Sequence, residues 1–191
     1  LASHFHPDHF NKEVLQWREQ RPDIIYIFSK DILRHRRAQK EDAVWLKKGE
    51  EYKDETLSVR AFGSTDVGVS FLLQTGGKKI FHAGDLNNWH WMDESTEAEW
   101  KGAEKNFLHE LDDLYAYTPE VDVAMFPVDP RLGKEYMRGA GQFVTKIKTH
   151  IFVPMHFTPE YAKANAFRDF AEAHGVRFVS LTHRGQKIEI E

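Results

Sequence analysis

His4-Phe5-His6-Pro7-Asp8-His9 sets three imidazoles and a carboxylate in the pattern H-x-H-x-D-H. Neutral imidazole nitrogen and carboxylate oxygen are donors that zinc, iron and manganese accept. Pro7 excludes a helix here, so the run is a tight loop at a strand end. A loop turns neighbouring side chains onto two adjacent metal positions, whereas a helix would scatter them around its circumference. The bland alternative is a solvated histidine-rich loop.

Two segments further along carry matching chemistry. Ile80-Phe81-His82-Ala83-Gly84-Asp85 reads as an apolar strand ending in Gly-Asp. Glycine lets the backbone turn sharply, and the carboxylate then projects from the strand terminus, where α/β proteins place their active groups. Val153-Pro154-Met155-His156-Phe157 repeats the design with a single imidazole. A lone histidine after a strand is usually structural. Beside four ligand-type residues it reads as a further ligand.

The rest of the composition frames these motifs. With 191 residues, 41% hydrophobic and 13% aromatic, the chain is long enough to bury a substantial core, and one domain over 1–191 is expected. A net charge of −4 offers no broad basic field for nucleic acid or an anionic membrane. The basic run Arg34-His35-Arg36-Arg37 with Lys40 meets Glu41 and Asp42 at once and reads as a solvated helix face. The absence of cysteine excludes disulfides and thiolate metal sites and leaves the compartment open. No apolar run approaches the ~18 residues of a membrane span and no signal peptide is visible, so a cytoplasmic protein is expected. Leu1-Ala2-Ser3 reads as the end of a strand whose beginning is absent, and the sequence is expected to be the C-terminal part of a longer protein.

Strands and helices alternate. Asn11 should cap a helix through Val14, Leu15 and Trp17, Asp23 to Phe28 should form a buried strand, and Ser29 should cap a short helix bearing the basic run. Val44–Leu46, Leu57–Phe62 and Val69–Gln74 read as strands, and Gly76-Gly77 turns the last into Lys79–Ala83. A long helix from about Ser95 to Tyr115 presents Trp100, Ala103, Phe107, Leu111 and Leu114 as a core stripe. Strand Val121–Phe126, a helix around Gln142–Lys148, strand Ile151–Met155 and a helix from Pro159 to His174 follow, and Gly175 ends that helix. Val176–Leu181 and Lys187–Ile190 close the chain as strands.

With these motifs in this order, the sequence resembles the metallo-β-lactamase superfamily of metal-dependent hydrolases. Phe62-Gly63-Ser64-Thr65-Asp66-Val67-Gly68-Val69-Ser70-Phe71 and Phe81-His82-Ala83-Gly84-Asp85-Leu86-Asn87 are similar to the branch around ascorbate-6-phosphate lactonase. The resemblance implies an α+β, four-layer αβ/βα sandwich with its metals at one rim, here without the strands that normally precede the histidine loop. One sheet would then expose an edge, and the chain is expected either to be poorly stable or to pair with itself as a homo-oligomer. It implies His4 and His6 on a first metal, Asp8, His9 and His156 on a second, and Asp85 bridging both. One or two zinc ions are implied, with manganese or iron as alternatives.

One position departs from the pattern. The family's middle histidine has no equivalent, and the segment reads Gly63-Ser64-Thr65-Asp66. Either Asp66 replaces it as an oxygen ligand, or Ser64 contacts a metal-bound water, or both residues only form a turn. Near Asp85, His82 reads as structural and as facing away. Trp89, His90 and Trp91 are close enough in sequence to border a cleft, with His90 as a supporting partner or substrate contact. The implied mechanism is attack of a metal-activated hydroxide on a small ester, lactone or phosphoester, with Asp8 and Asp85 as the catalytic carboxylates. A ribonuclease Z-like nuclease and a non-hydrolytic or inactive metal-binding fragment are the competing readings. The acidic balance disfavours the first, and His6 disfavours an oxygen-reducing di-iron centre, whose relatives carry Glu there.

Overall fold

Leu57–Ala61 alternates apolar and polar residues, and the strand it begins pairs with the apolar run of Ser70–Thr75 in the principal sheet. The computed structural model describes residues 1–189. β1 (Ile27–Ser29), α1 (Lys30–Arg34) and β2 (Val44–Leu46) form a small unit in which the two strands pair in parallel, and Ala2 bridges Phe28. β3 (Glu51–Lys53), β4 (Leu57–Phe62), β5 (Ser70–Thr75) and β6 (Lys78–His82) follow as an antiparallel meander. Gly76 and Gly77, both at positive φ (56° and 75°), make the two-residue turn from β5 to β6. α2 (Glu97–Tyr117), β7 (Glu120–Pro127), α3 (Arg138–Lys146), β8 (Lys148–Met155), α4 (Tyr161–Asn165), α5 (Arg168–Ala173) and β9 (Arg177–Phe178) then extend the sheet in parallel. Its strand order is β3-β4-β5-β6-β7-β8-β9.

Burial sorts these elements into layers. On one face of the large sheet, Leu72, Phe81, Ala124, Phe126 and Phe152 pack against Phe107, Leu111 and Leu114 of α2, Phe143 of α3 and Ala171 of α5. A fully buried phenylalanine is worth about 1.5–3 kcal/mol, so this aromatic layer is a main source of stability. On the opposite face, Val59, Ala61 and Phe71 meet Ile27 and Leu46 of the small sheet. Phe28, next along β1, points the other way, into a cluster with Phe10, Ile32 and Ala38. The result is the expected α+β, four-layer αβ/βα arrangement, with two strands in the second sheet.

Several expected boundaries move. The helix after Asn11 is a 3-10 helix, Lys12–Glu19, which Asn11 does cap by accepting from the Glu13 N–H at 3.0 Å. The strand expected over 23–28 begins only at Ile27, and α1 stops at Arg34, so most of the basic run lies beyond it. α2 starts after Thr96, which forms a reciprocal capping box with Glu99. α3 begins at Arg138, ahead of the expected Gln142, and the helix expected over 159–174 divides into α4 and α5. Only Arg177–Phe178 of the strand over 176–181 is extended in the sheet. No strand covers 187–189, and Ile190 of the expected last strand lies outside the described residues. Among the described residues no helix is long and apolar enough to cross a membrane.

Candidate metal centre

β6, β7 and β8 run parallel with Phe81 beside Ala124 and Met125 beside Val153, so their C-terminal ends reach one edge together. Beyond those ends stand Asp85, Asp129 and His156. The histidine loop meets them from the small sheet. Backbone bonds from Ser29 N–H to Ala2 O (3.0 Å) and from Val69 N–H to Ser3 O (3.0 Å) fix its entry. The His9 and Phe10 N–H groups both donate to His6 O, at 3.0 and 2.8 Å, and close it into the expected tight turn. Asp31 accepts from the Phe5 N–H at 3.1 Å, and the Phe5 ring stacks on His35.

Gly84 makes the approach of the loop possible. It has φ +56°, and a Cβ there would lie 2.8 Å from Ser3 Cβ and 3.0 Å from Val69 O. Only glycine meets both conditions.

Asp85 is the centre of the arrangement. Its Oδ2 lies 3.3 Å from His4 Nε2, and its Oδ1 lies 3.2 Å from His9 Nε2 and 3.5 Å from His156 Nε2. His6 Nδ1 is 3.1 Å from His4 Nε2. Three sets bring one donor atom per residue within 4.8 Å of one another: His4, His9 and Asp85; Asp8, His9 and His156; His6, Asp66 and Asp85. All six residues named from the sequence therefore converge, and Asp66 joins His6 and Asp85. Ser64 lies in the turn and accepts from the Asp66 N–H at 3.4 Å.

The imidazoles are oriented by partners on their far nitrogens. Ser3 Oγ lies 3.1 Å from His4 Nδ1 and 3.3 Å from His9 Nδ1, which turns both Nε2 atoms toward Asp85. His156 donates from Nδ1 to Asp129 Oδ2 at 2.9 Å, again leaving Nε2 for the cleft. His156 sits at φ +61°, a left-handed conformation that costs about 1–3 kcal/mol for a residue with a Cβ. Asp129 is itself buried and held by Arg131, whose Nε and Nη2 lie 3.0 and 2.6 Å from its Oδ2. Ser3, Asp129 and Arg131 were not anticipated. Asp129 had a usable signal, because it follows an apolar strand as Asp85 and His156 do.

Electrostatics favour a cation in this cluster. Burial, with His9 and His6 nearby, depresses His4 to about 3, so its ring is neutral and able to ligate. Burial also raises Asp85, against the pull of His9 and His156. Burial would raise Asp129 as well, but the hydrogen bonds from His156 and Arg131 outweigh it and hold the carboxyl well below the usual range. Asp85 Oδ1 is buried with no hydrogen-bond partner among the described residues. A buried carboxylate oxygen left in this state costs about 1–3 kcal/mol. Imidazole and carboxylate donors facing one point fit a divalent ion.

The cleft above the cluster has two adjoining lobes. One, of 370 Å³, is lined by His6, Asp8, Asp66, Trp89, Trp91 and Arg131 among others. The other, of 350 Å³, is lined by Asp8, His9, His82, Arg131, Met155, His156 and Thr158. His82 thus faces the cleft, contrary to expectation, and its Nδ1 accepts from the Gly84 N–H at 3.1 Å. His90 does not border it. Its ring is buried between Glu135 O and the Met92 N–H, each at 3.1 Å. Trp89 anchors the wall by donating to Asp85 O at 2.8 Å.

No family model matches the chain, and no curated protein matches it in sequence. Solved structures do match. A protein of Bacillus subtilis with the metallo-β-lactamase fold, YhfI, aligns over 93% of this chain and 73% of its own, with TM-score 0.60 and 10% identity. The fold is that of the metallo-β-lactamases. A proposed metal-dependent hydrolase of Parabacteroides distasonis aligns over 93% of this chain and 73% of its own, with TM-score 0.63 and 17% identity. Zn²⁺-bound PqqB of Methylobacterium extorquens aligns over 93% and 69%, with TM-score 0.53 and 15% identity. At these identities the likeness to the metallo-β-lactamase fold is one of architecture, and residue roles rest on the geometry above.

Proposed function

We propose that this chain is a metal-dependent hydrolase of a small ester, lactone or phosphoester. The observation that carries the reading is the convergence on Asp85 of His4, His9 and His156, with Asp85 Oδ1 buried and without a hydrogen bond among the described residues. His6, Asp66 and Asp85, with His4 beside His6, would hold one divalent ion, and Asp8, His9 and His156 a second, with Asp85 shared. Such an ion supplies Lewis-acid polarisation and makes hydroxide available at neutral pH. Asp8, with its side chain 71% exposed, orients the attacking water and accepts its proton. Ser3 and Asp129 hold three of the rings in the ligating tautomer. Trp89 and Trp91 form the wall against which a substrate rests.

The finer assignment, a place beside the ascorbate-6-phosphate lactonase branch and a small-molecule substrate, rests on the stretches 62–71 and 81–87 and on the net charge of −4, which offers no broad basic field for nucleic acid. Zinc- and manganese-loaded protein screened against lactones, aryl esters, phosphodiesters and RNA tests the function. Hydrolysis of a small ester, lactone or phosphoester that is lost in Asp85→Ala is the expected result. Turnover of RNA alone would favour the nuclease reading, and no metal-dependent turnover would refute hydrolysis.

A further inference from the structure

We infer that Thr65 is a positioning residue of the metal centre: its hydroxyl clamps the loop carrying Asp66 to the loop carrying Asp85, so that both carboxylates meet one ion. The inference rests on the metal centre of the hydrolase reading and goes beyond it, because Thr65 is not one of the ligands. Asp85 and Asp66 reach the cleft by different routes. Asp85 follows β6 and is buried, whereas Asp66 lies exposed in the loop between β4 and β5. Among the described residues no hydrogen bond or ion pair holds the Asp66 carboxylate, and its backbone N–H donates only within the turn, to Ser64 Oγ at 3.4 Å. The backbone of the loop therefore decides where that carboxylate stands. Even so, donor atoms of His6, Asp66 and Asp85 lie within 4.8 Å of one another.

The side chain next to Asp66 supplies the link. Thr65 Oγ1 donates to Asn87 O at 2.5 Å and accepts from the Asn87 N–H at 3.0 Å. A hydroxyl has one proton, so its donor and one acceptor site are both spent on the backbone of a single residue, two places after Asp85. Among the described residues no other hydrogen bond joins 63–68 to 84–91. A threonine serving only its own turn would bond within that turn, as Ser64 does. Thr65 bonds across to the other loop instead.

The far side of the clamp is firmly seated. Asn87 and Asn88 are both fully buried. Asn88 Nδ2 donates to Glu104 of α2 and to Gln142 of α3, each at 2.9 Å, and Arg138 Nε reaches the same Glu104 carboxylate at 2.5 Å. Asn87 itself sits in a notch of α3, where a Cβ on Gly139 would lie 2.0 Å from Asn87 Oδ1. Trp89 Nε1 closes the loop back onto Asp85 O at 2.8 Å. The segment after Asp85 is thus anchored on two helices, and Thr65 extends that anchorage to Asp66. Held in this way, Asp66 is in place before an ion arrives, and the cost of ordering an exposed carboxylate on binding is reduced.

The test reads zinc affinity, by competition with a chromophoric chelator, in wild type, Thr65→Val, Thr65→Ser, Asp66→Ala and the double variant Thr65→Val with Asp66→Ala. Thr65→Val keeps the branched shape and removes the hydroxyl, and it should weaken the zinc that Asp66→Ala also weakens, by about 10- to 100-fold. Thr65→Ser keeps the hydroxyl and should bind zinc as wild type does. In the Asp66→Ala background Thr65→Val should cost no further affinity, because the clamp acts through Asp66. Unchanged zinc affinity in folded Thr65→Val, or an equal loss with and without Asp66, would overturn the inference. Linkage supplies a measurement that needs no variant to fold: an ion that the clamp helps to hold must in turn tighten the clamp. Zinc should therefore slow hydrogen exchange of the Asn87 amide in wild type by a larger factor than that of Phe126 in the core. Equal slowing of the two would likewise overturn it. Wild type that binds no zinc would sink the metal centre and the positioning role together. Thr65-dependent zinc binding without turnover of any ester would refute the hydrolase reading alone and leave the positioning role standing.

Discussion

Replacing Asp85 by asparagine keeps the shape of the side chain and removes its charge, and it separates a metal-holding aspartate from a structural one. Asp85 lies within 3.2–3.5 Å of three imidazole nitrogens and belongs to two of the three donor sets. Changing a residue that merely supports a ligand costs 10- to 100-fold in metal affinity, so loss of a shared ligand should cost at least about 100-fold. At a free metal concentration near 100 times the wild-type Kd, bound metal stabilises the native state by about 2.7 kcal/mol. For a chain of this size that raises Tm by roughly 5–10 °C, and Asp85→Asn should reduce the rise to about 2 °C or less. The metal-free proteins should behave differently. Asp85 Oδ1 has no hydrogen-bond partner to lose, so metal-free Asp85→Asn should be at least as stable as metal-free wild type. Thermal unfolding with and without zinc, beside metal analysis, reads both quantities. A full metal-induced rise in Asp85→Asn, or a drop of several kcal/mol in its metal-free form, would show that Asp85 is a packing residue.

Three other substitutions probe separate parts of the site. Asp129→Asn should lower metal affinity 10- to 100-fold by weakening the bond that orients His156, with the fold retained in circular dichroism; unchanged affinity would deny it that role. Asp66→Ala should leave the protein folded, because the residue is exposed, and should reduce the metal bound beside His6; a full complement of metal would make Asp66 a turn residue only. Gly84→Ala should destabilise by more than about 1 kcal/mol in urea titration, since it combines positive φ with close approach to Ser3 and Val69, and a neutral result would contradict the tight seating of the loop.

Sequence made some of this structure legible for identifiable reasons. Leu57–Phe62 and Val44–Leu46 were readable to the residue because apolar side chains bounded by polar or turn segments leave little choice of period. α2 was readable from its Phe107, Leu111 and Leu114 stripe and its start near Ser95. β3 was not, because Glu51-Tyr52-Lys53 is an edge strand whose pairing with β4 supplies what its composition lacks. The division between α4 and α5 was hidden as well, since Ala166 and Phe167 suit a continuous helix.

The site was legible in the same uneven way. Ligand-type residues at strand ends are a local signal, so His4, His6, Asp8, His9, Asp85 and His156 could be gathered from the sequence alone. Which donors share a point depends on how two sheets meet, and the grouping of Asp66 with His6 and Asp85 emerges only in three dimensions. Ser3 carries no signal at all until two imidazoles are seen to lean on one hydroxyl.

The most direct test of the central claim is a crystal structure of zinc-loaded protein, with anomalous scattering recorded on either side of the zinc edge. The claim requires an anomalous peak in the cleft about 2.0–2.2 Å from Asp85 and from nitrogens of the His4–His9 loop and His156. Zinc found only at surface carboxylates, or a zinc-loaded cleft in which Asp85 or His156 turns away from the loop, would contradict it.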